Sequence, residues 1–398
     1  MSPETQPCVS RVGLRIDPLD VLFFRDGRPF DAASRAYGGL PLPRTIAGAL
    51  RTAFLASEGF DFTALRDRAR NGSNGPRPTT RDVLQGAPDW ILRARFRGPW
   101  LALVDEDSGG KATVEPLLPV PATLARVESE GDTGLGKWCR TTPRQGLPGR
   151  TDPDLMPLWR RGDPEAKHPR GFLTPEGIRR FLEDRMPDDQ QWYEPHDLFD
   201  FDARTGIGID ADTLTTARSQ IYGVRMLALR RHVPINESPG RMVRVMLYEE
   251  VEFPVKPPAD LDERLTRPIP LGGEGRQASL KVIDAVDWPG VATAVERSLW
   301  LLATPGIFGG GNGHLRADRP DALAPPARLR AAASDSPLAV SGWDIAMNGP
   351  RPTRFAVPGG AVYYVEGTFE PDHDSLCSDD ELVQEGWGFA LRGVWNDG

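Results

Sequence analysis

Apolar and polar positions alternate from Val12 through Leu14 to Ile16, the two-residue period of a strand with one buried face. The period then changes. After Pro43, Ile46, Leu50, Ala53 and Phe54 recur at helical spacing, so a helix starts near Arg44 or Thr45. Trp90 to Val104 carries scattered apolar residues and reads as two strands broken at Gly98-Pro99. From Asp105 to about Asp202 the pattern degrades: prolines recur, Trp138 and Trp159 stand alone, and Glu183 to Asp202 is acidic. Only Pro175 to Leu182 has helical spacing there, at Ile178, Phe181 and Leu182. A poorly patterned stretch of this length is usually an insertion into a domain. Order returns with a long strand over Gln220 to Arg230, apolar on both faces, and a second from Met242 to Val255 rich in β-formers. A strand at Ser279 to Val286 precedes a helix expected from about Pro289 to Ala303, with Val291, Val295, Leu299 and Leu302 on one face. Short strands follow around Trp343-Asp344, Phe355-Ala356-Val357 and Ala361 to Val365, closing on Gly386 to Leu391.

A strand, a helix and further strands, seen twice, predict an α+β protein of two ferredoxin-like domains, the geometry that also underlies RRM modules. We place the first domain at 1–232, with a long irregular insertion at about 105–202, and the second at 233–398. A length of 398 residues suits two packed cores. No apolar run is long enough to span a bilayer, and Met1 is followed by polar residues, so no signal peptide and no membrane partner are expected. Cys8, Cys139 and Cys377 are odd in number and far apart, without metal-ligand spacing. A reducing cytoplasm is the default.

Charge sharpens this outline. The formal net charge is -8, which argues against a protein that coats nucleic acid nonspecifically. Only five of the basic residues are lysines, and the others are arginines, which contact phosphate in bidentate fashion and stack on bases. A GC-rich coding sequence produces the same bias. The distribution says more: residues 11–51 carry seven arginines against four acids, and 204–244 carry seven against three. Two basic segments within an acidic chain point to one defined polyanion track.

The stretch from Leu22 to Phe54 holds the first candidate chemistry. Arg25, Arg28, Arg44 and Arg51 lie in or beside a turn whose Gly38 and Gly39 allow close backbone approach, and Thr45 and Gly48 sit in the first turns of the helix. A helix start offers unpaired N–H groups that suit a phosphate. A strand–loop–helix corner with solvated arginines reads equally from the local pattern. The glycine-dense run around Gly309, Gly310 and Gly311 follows the expected helix, whereas a phosphate-binding loop precedes one, so a helix stop and a ligand-touching loop fit better. The five histidines, His168, His196, His232, His314 and His373, are scattered, and none lies in the first 167 residues. His373 sits in an acidic stretch that reads as solvated, and no metal or other cofactor is expected.

Several ordered blocks resemble a known family. They are Arg25-Asp26-Gly27-Arg28-Pro29-Phe30, Gly39 through Arg51, Arg204-Thr205-Gly206-Ile207-Gly208-Ile209-Asp210, Leu271-Gly272-Gly273-Glu274-Gly275-Arg276, Ala303 through Phe308, Trp343-Asp344 with Pro350-Arg351-Pro352, and Val357 through Tyr364. Together they are similar to a CRISPR RAMP family, the third Cmr subunit of type III-B effector complexes. The resemblance implies a non-catalytic subunit of two ferredoxin-like domains of RAMP type. Such a subunit grips the 5′ tag of the crRNA and sits beside the large polymerase/cyclase-like Cmr subunit, with neighbouring backbone RAMP subunits and the small Cmr subunit as further partners. The RNA-binding residues expected are Arg25, Arg28, Gly38, Gly39, Arg44, Thr45, Gly48, Arg51, Arg204, Gly206, Gly208, Arg218, Tyr222, Gly272, Gly273, Arg276, Gly309 and Gly310. Two other classes stay open: a metal-independent RAMP endoribonuclease, and a structural scaffold whose arginines pair with acidic protein faces.

Overall fold

The structure is a computed structural model that describes residues 10–25, 35–36, 39–63, 80–106, 112–127, 137–146, 154–160, 166–209, 215–236, 238–290, 296–309, 319–344 and 349–396. It is an α+β protein built on two antiparallel sheets. The alternation at Val12, Leu14 and Ile16 forms strand β1 (Ser10–Pro18), and the helical spacing behind Pro43 forms α1 (Pro43–Ser57). The next long strand, β2 (Arg95–Glu106), is followed by β3 (Ala112–Pro119) and helix α2 (Pro175–Leu182). A long hairpin, β4 (Phe199–Ile209) and β5 (Thr216–Leu229), leads into β6 (Ser238–Phe253) and β7 (Gln277–Asp284). The second sheet holds β8 (Arg297–Leu302), β9 (Arg328–Ala333), β10 (Val362–Glu366) and β11 (Ala390–Val394), with helix α3 (Asp380–Glu385) between the last two.

Both sheets repeat one order. In the larger, β2, β6, β1 and β7 lie side by side; in the smaller, β9, β10, β8 and β11 do. Each set runs second, third, first, fourth in chain order, with every neighbour antiparallel. β3 and the short strands Phe172–Leu173 and Trp192–Tyr193 extend the larger sheet beyond β2. β6 and β7 pair with β1, so the larger sheet crosses the 232/233 boundary placed from the sequence.

Alternation along the strands sends side chains into separate cores. On one face of the larger sheet, Leu14, Ile16, Leu101, Leu103 and Leu247 pack against Ile46, Leu50 and Phe54 of α1. Full burial of such a side chain contributes about 1.5–3 kcal/mol, which outweighs the missing side-chain cap at Leu42. On the opposite face, Trp100, Ala102, Met246 and Tyr248 meet Leu299, Leu301, Tyr364 and Leu391 of the smaller sheet. The far face of the smaller sheet, including Trp300, Leu302 and Tyr363, covers Leu382, Ile307 and Phe308.

Three expectations need correction. The helix expected over 289–303 is, in its described part, irregular chain to Gly290 and then strand β8. Leu299 and Leu301 face one core while Trp300 and Leu302 face the other, a strand buried on both sides whose apolar run also satisfies helical spacing. Trp90 to Val104 is not a strand pair. A short helix, Asp89–Leu92, precedes one strand that continues through Gly98-Pro99. There two residues of β2 oppose Glu249 alone, and this bulge lets Phe96 and Trp100 face opposite cores. The stretch at 105–202, read from the sequence as an irregular insertion, is built into the cores. Leu117, Phe172 and Tyr193 join one core, and Leu118, Leu173, Ile178 and Phe181 join the one shared by both sheets. Its prolines divide it into elements too short to show a period.

Candidate nucleic-acid interface

Three segments far apart in sequence meet beside β1. Leu22 and Leu227 exchange backbone hydrogen bonds of 2.8 and 2.7 Å, which lays the segment after β1 along the hairpin strand β5. The Gly273 N–H donates to the Phe23 carbonyl at 2.8 Å, and the Gly39 N–H donates to the Phe24 carbonyl at 3.1 Å. Arg35–Ala36 adds a parallel strand to β5 at Gly223 and Val224. A small core of Phe23, Val224 and Met226 seals the junction. Gly272 is at φ +77°, and a Cβ there would lie 2.4 Å from the Phe23 carbonyl oxygen. Only glycine permits this turn so close to that backbone.

Cations rim the junction. Arg276 donates to Asp20 at 2.9 Å, with its other nitrogen 3.4 Å from the Met226 sulfur. Arg25 is exposed at the end of the first segment. Arg204 is exposed on β4 and pairs with Asp202 at 2.7 Å; Gly206 and Gly208 follow on the same strand. Arg225 is exposed on β5, its guanidinium 4.7 Å from the centre of the Phe201 ring, and no sequence block marked it. The period-two pattern of β5 was the available signal, since it sends Arg225 to the face opposite Val224 and Met226. Tyr222 and Arg218 lie on β5 by backbone, while their side chains, together with Arg28, Gly38 and Gly310, lie outside the described residues.

The helix start is built differently. Arg44 is not the solvent-facing arginine that the sequence implied. Its side chain is 18% exposed and its Nε donates to Glu385 Oε2 at 2.8 Å, with the Trp387 ring centre 6.0 Å from the guanidinium. The Trp387 indole donates to the same Glu385 oxygen at 3.0 Å. Arg51, two turns on, is buried with its guanidinium 5.1 Å from the centre of the Phe96 ring. Burial holds its pKa below the ordinary arginine value, and the nearby charges of Glu385 and Glu381 oppose that shift. This cluster joins α1 to α3, and an RNA phosphate at Arg44 would compete with Glu385 for it. Nothing in the sequence announced Glu385, which lies 341 positions away. Thr45 and Gly48 are exposed on α1. Gly309 lies elsewhere, its N–H donating to the carboxylate of Asp321 at 2.9 and 3.0 Å.

The described histidines occupy separate surroundings. His168 bonds the Leu124 carbonyl, His196 lies beside Glu194 and Asp197, His232 is exposed, and His373 lines a small pocket with Arg95, Arg97 and Trp387. His314 lies outside the described residues. Among the described residues no group of three or more His, Cys, Asp or Glu side chains has metal-binding geometry. No described helix is long and apolar enough to cross a membrane.

Comparison with known proteins supplies the family. Residues 14–395 match the family model described as CRISPR-associated protein (Cas_Cmr3). No curated protein matches the chain. Two solved chains are similar at 17% identity. One is from a cryo-EM structure of the Type III-B Cmr-beta bound to cognate target RNA, with a TM-score of 0.47, covering 89% of this chain and 86% of that one. The other is from the same assembly with target RNA and AMPPnP, state 1, with a TM-score of 0.46, covering 88% and 86%. The family match runs from within β1 to just past β11, through every segment of the junction, and the chain belongs to the CRISPR-associated Cas_Cmr3 family.

Proposed function

We propose that this chain is the non-catalytic RNA-binding subunit of a type III-B CRISPR (Cmr) effector complex. It grips the 5′ tag of the crRNA and docks the large polymerase/cyclase-like subunit, with neighbouring RAMP subunits alongside. The observation that carries the reading is the junction itself. Two arginine-rich stretches some two hundred residues apart are brought together by Leu22 and Leu227, with a glycine turn closing over them. Single-stranded RNA is held by backbone contacts, arginine stacking and close approach of main chain, and the junction offers each. Arg25, Arg204 and Arg276 face the phosphates, and the Gly272-Gly273 turn and Gly39 keep the backbone near. The repeated second–third–first–fourth strand order supports two ferredoxin-like units of RAMP type. The acidic remainder of the chain leaves surfaces for basic partners.

The test is binding of tag-bearing and tag-less RNA across a salt series, with sequencing of RNA that co-purifies from the native host. Arg25→Ala and Arg204→Ala should each flatten the log–log salt slope by ~0.7, the value for one phosphate of a single strand. Equal affinity for both RNAs, or unchanged slopes in folded variants, would remove the tag grip. Clean metal-independent cleavage of repeat RNA by the purified protein would overturn the non-catalytic assignment.

A further inference from the structure

One tryptophan that the sequence left unexplained stands on the surface. Trp159 is 55% exposed on the short strand Leu158–Trp159, which pairs with Thr142–Pro143. The Arg144 N–H donates to the Pro157 carbonyl at 3.0 Å, so Arg144 and Trp159 are diagonal neighbours on one face of this ribbon. Arg160 follows, and its guanidinium donates to the Ala166 carbonyl at 3.1 Å, which brings Lys167 alongside. Lys167 and Arg126 exchange backbone hydrogen bonds, and the neighbouring Val127 pairs with Lys137. Arg170 completes the group, its carbonyl accepting from the Trp192 indole at 3.2 Å.

Many of the molecule's arginines are paired with acids. Arg15, Arg95, Arg97, Arg140 and Arg244 are each held by a carboxylate. Lys137, Arg144, Lys167 and Arg170 form no ion pair with any described residue. In a chain of net charge -8, this face sets Arg144 diagonal to an exposed indole and brings Lys167 near through Arg160. It belongs to the 105–202 stretch and shares no residue with the junction.

We infer that this face is a second contact for single-stranded RNA, with an unpaired base stacked on Trp159 and the flanking phosphates drawn to Arg144 and Lys167. An indole presents a π surface that any base can stack on, and adjacent cations hold the backbone without reading sequence. The inference relies on the RNA-subunit reading for the identity of the polyanion, and on nothing else in it.

The probe is a labelled oligouridylate, which has no tag and no secondary structure, bound to the full chain over a salt series. Trp159→Ala should weaken binding about tenfold, in the range for loss of one stacked base. Trp159→Phe should restore much of it, and Lys167→Ala should flatten the salt slope by ~0.7. Because Trp159 is exposed, circular dichroism melts should match those of the parent. Unchanged oligouridylate affinity in Trp159→Ala overturns the inference. So does a loss confined to polyglutamate, which would assign the face to an acidic protein. If the parent protein binds neither oligouridylate nor tag RNA, the RNA-subunit reading fails with it. If parental binding survives Trp159→Ala, only the second contact fails.

Discussion

Glu249 carries the most unfavourable charge placement among the described residues. It is fully buried in β6 at the bulge, and neither carboxylate oxygen has a hydrogen-bond partner among them. Burial, and then the neighbouring Glu250, push its pKa well above the ordinary carboxylate value. Glu250 is also raised by burial, against the pull of Trp288, Arg11, the Tyr248 hydroxyl and Arg97. The native state therefore holds a proton that the unfolded chain releases at lower pH. The contribution of Glu249 is complete below the ordinary glutamate pKa and is lost as pH rises toward the native value. Glu249→Gln, which keeps the shape without the charge, should melt higher than the parent at pH 8, and the gap should close towards pH 5. Melting curves at a series of pH values test this; a gap that widens on acidification would refute it. Glu385, unlike Glu249, has partners: it accepts from Arg44 and Trp387 and lies near buried Arg51. Glu385→Ala leaves a buried cation uncompensated and should cost about 3–5 kcal/mol in a urea titration. A loss below 1 kcal/mol would show that water reaches the cluster. Neither role was legible in the sequence, because both depend on chain segments brought together only by the fold.

At the scale of elements, the two-residue and helical periods located β1, α1, α2, β5, β6 and β7. They failed where an element is buried on both faces, as β8 is, because a continuous apolar run satisfies both periods. They also failed at β2, where one strand passes through a bulge and changes its buried parity. The glycines read as phosphate-approaching separate by the same logic. At Gly272 a side chain would strike the Phe23 carbonyl, so Gly272→Val should displace the segment after β1 and reduce stability and RNA binding together. At Gly48 the space is open and the backbone helical. Gly48→Ala should stabilise the protein by about 1 kcal/mol, the difference in helix propensity. If Gly48 lies against RNA, the same variant should bind more weakly while melting higher. Thermal melts beside a binding isotherm distinguish these outcomes, and a lowered melting temperature would contradict the open space.

For the whole molecule, the interior joins what the sequence seemed to divide. The shared core takes Trp100, Met246 and Tyr248 from the larger sheet, Leu299, Tyr364 and Leu391 from the smaller, and Leu173, Ile178 and Phe181 from the 105–202 stretch. The family blocks bracket that stretch without entering it, and only the helical spacing of Ile178, Phe181 and Leu182 pointed to its packing role. Phe181 tests the joint directly. It is fully buried on α2, the Arg140 guanidinium lies 4.4 Å from its ring centre, and Arg140 donates to the Phe181 carbonyl and to Asp184. The next residue, Leu182, reaches β11, where a Cβ on Gly393 would lie 2.7 Å from its carbonyl oxygen. Removing the ring leaves a cavity bordered by both sheets, and Phe181→Ala should cost about 3–5 kcal/mol. Because both sheets border that cavity, the loss should shift one cooperative transition, with tryptophan fluorescence and far-UV circular dichroism moving together in urea. Two separated transitions, with only one displaced, would mean that the sheets unfold independently and that α2 supports one of them alone.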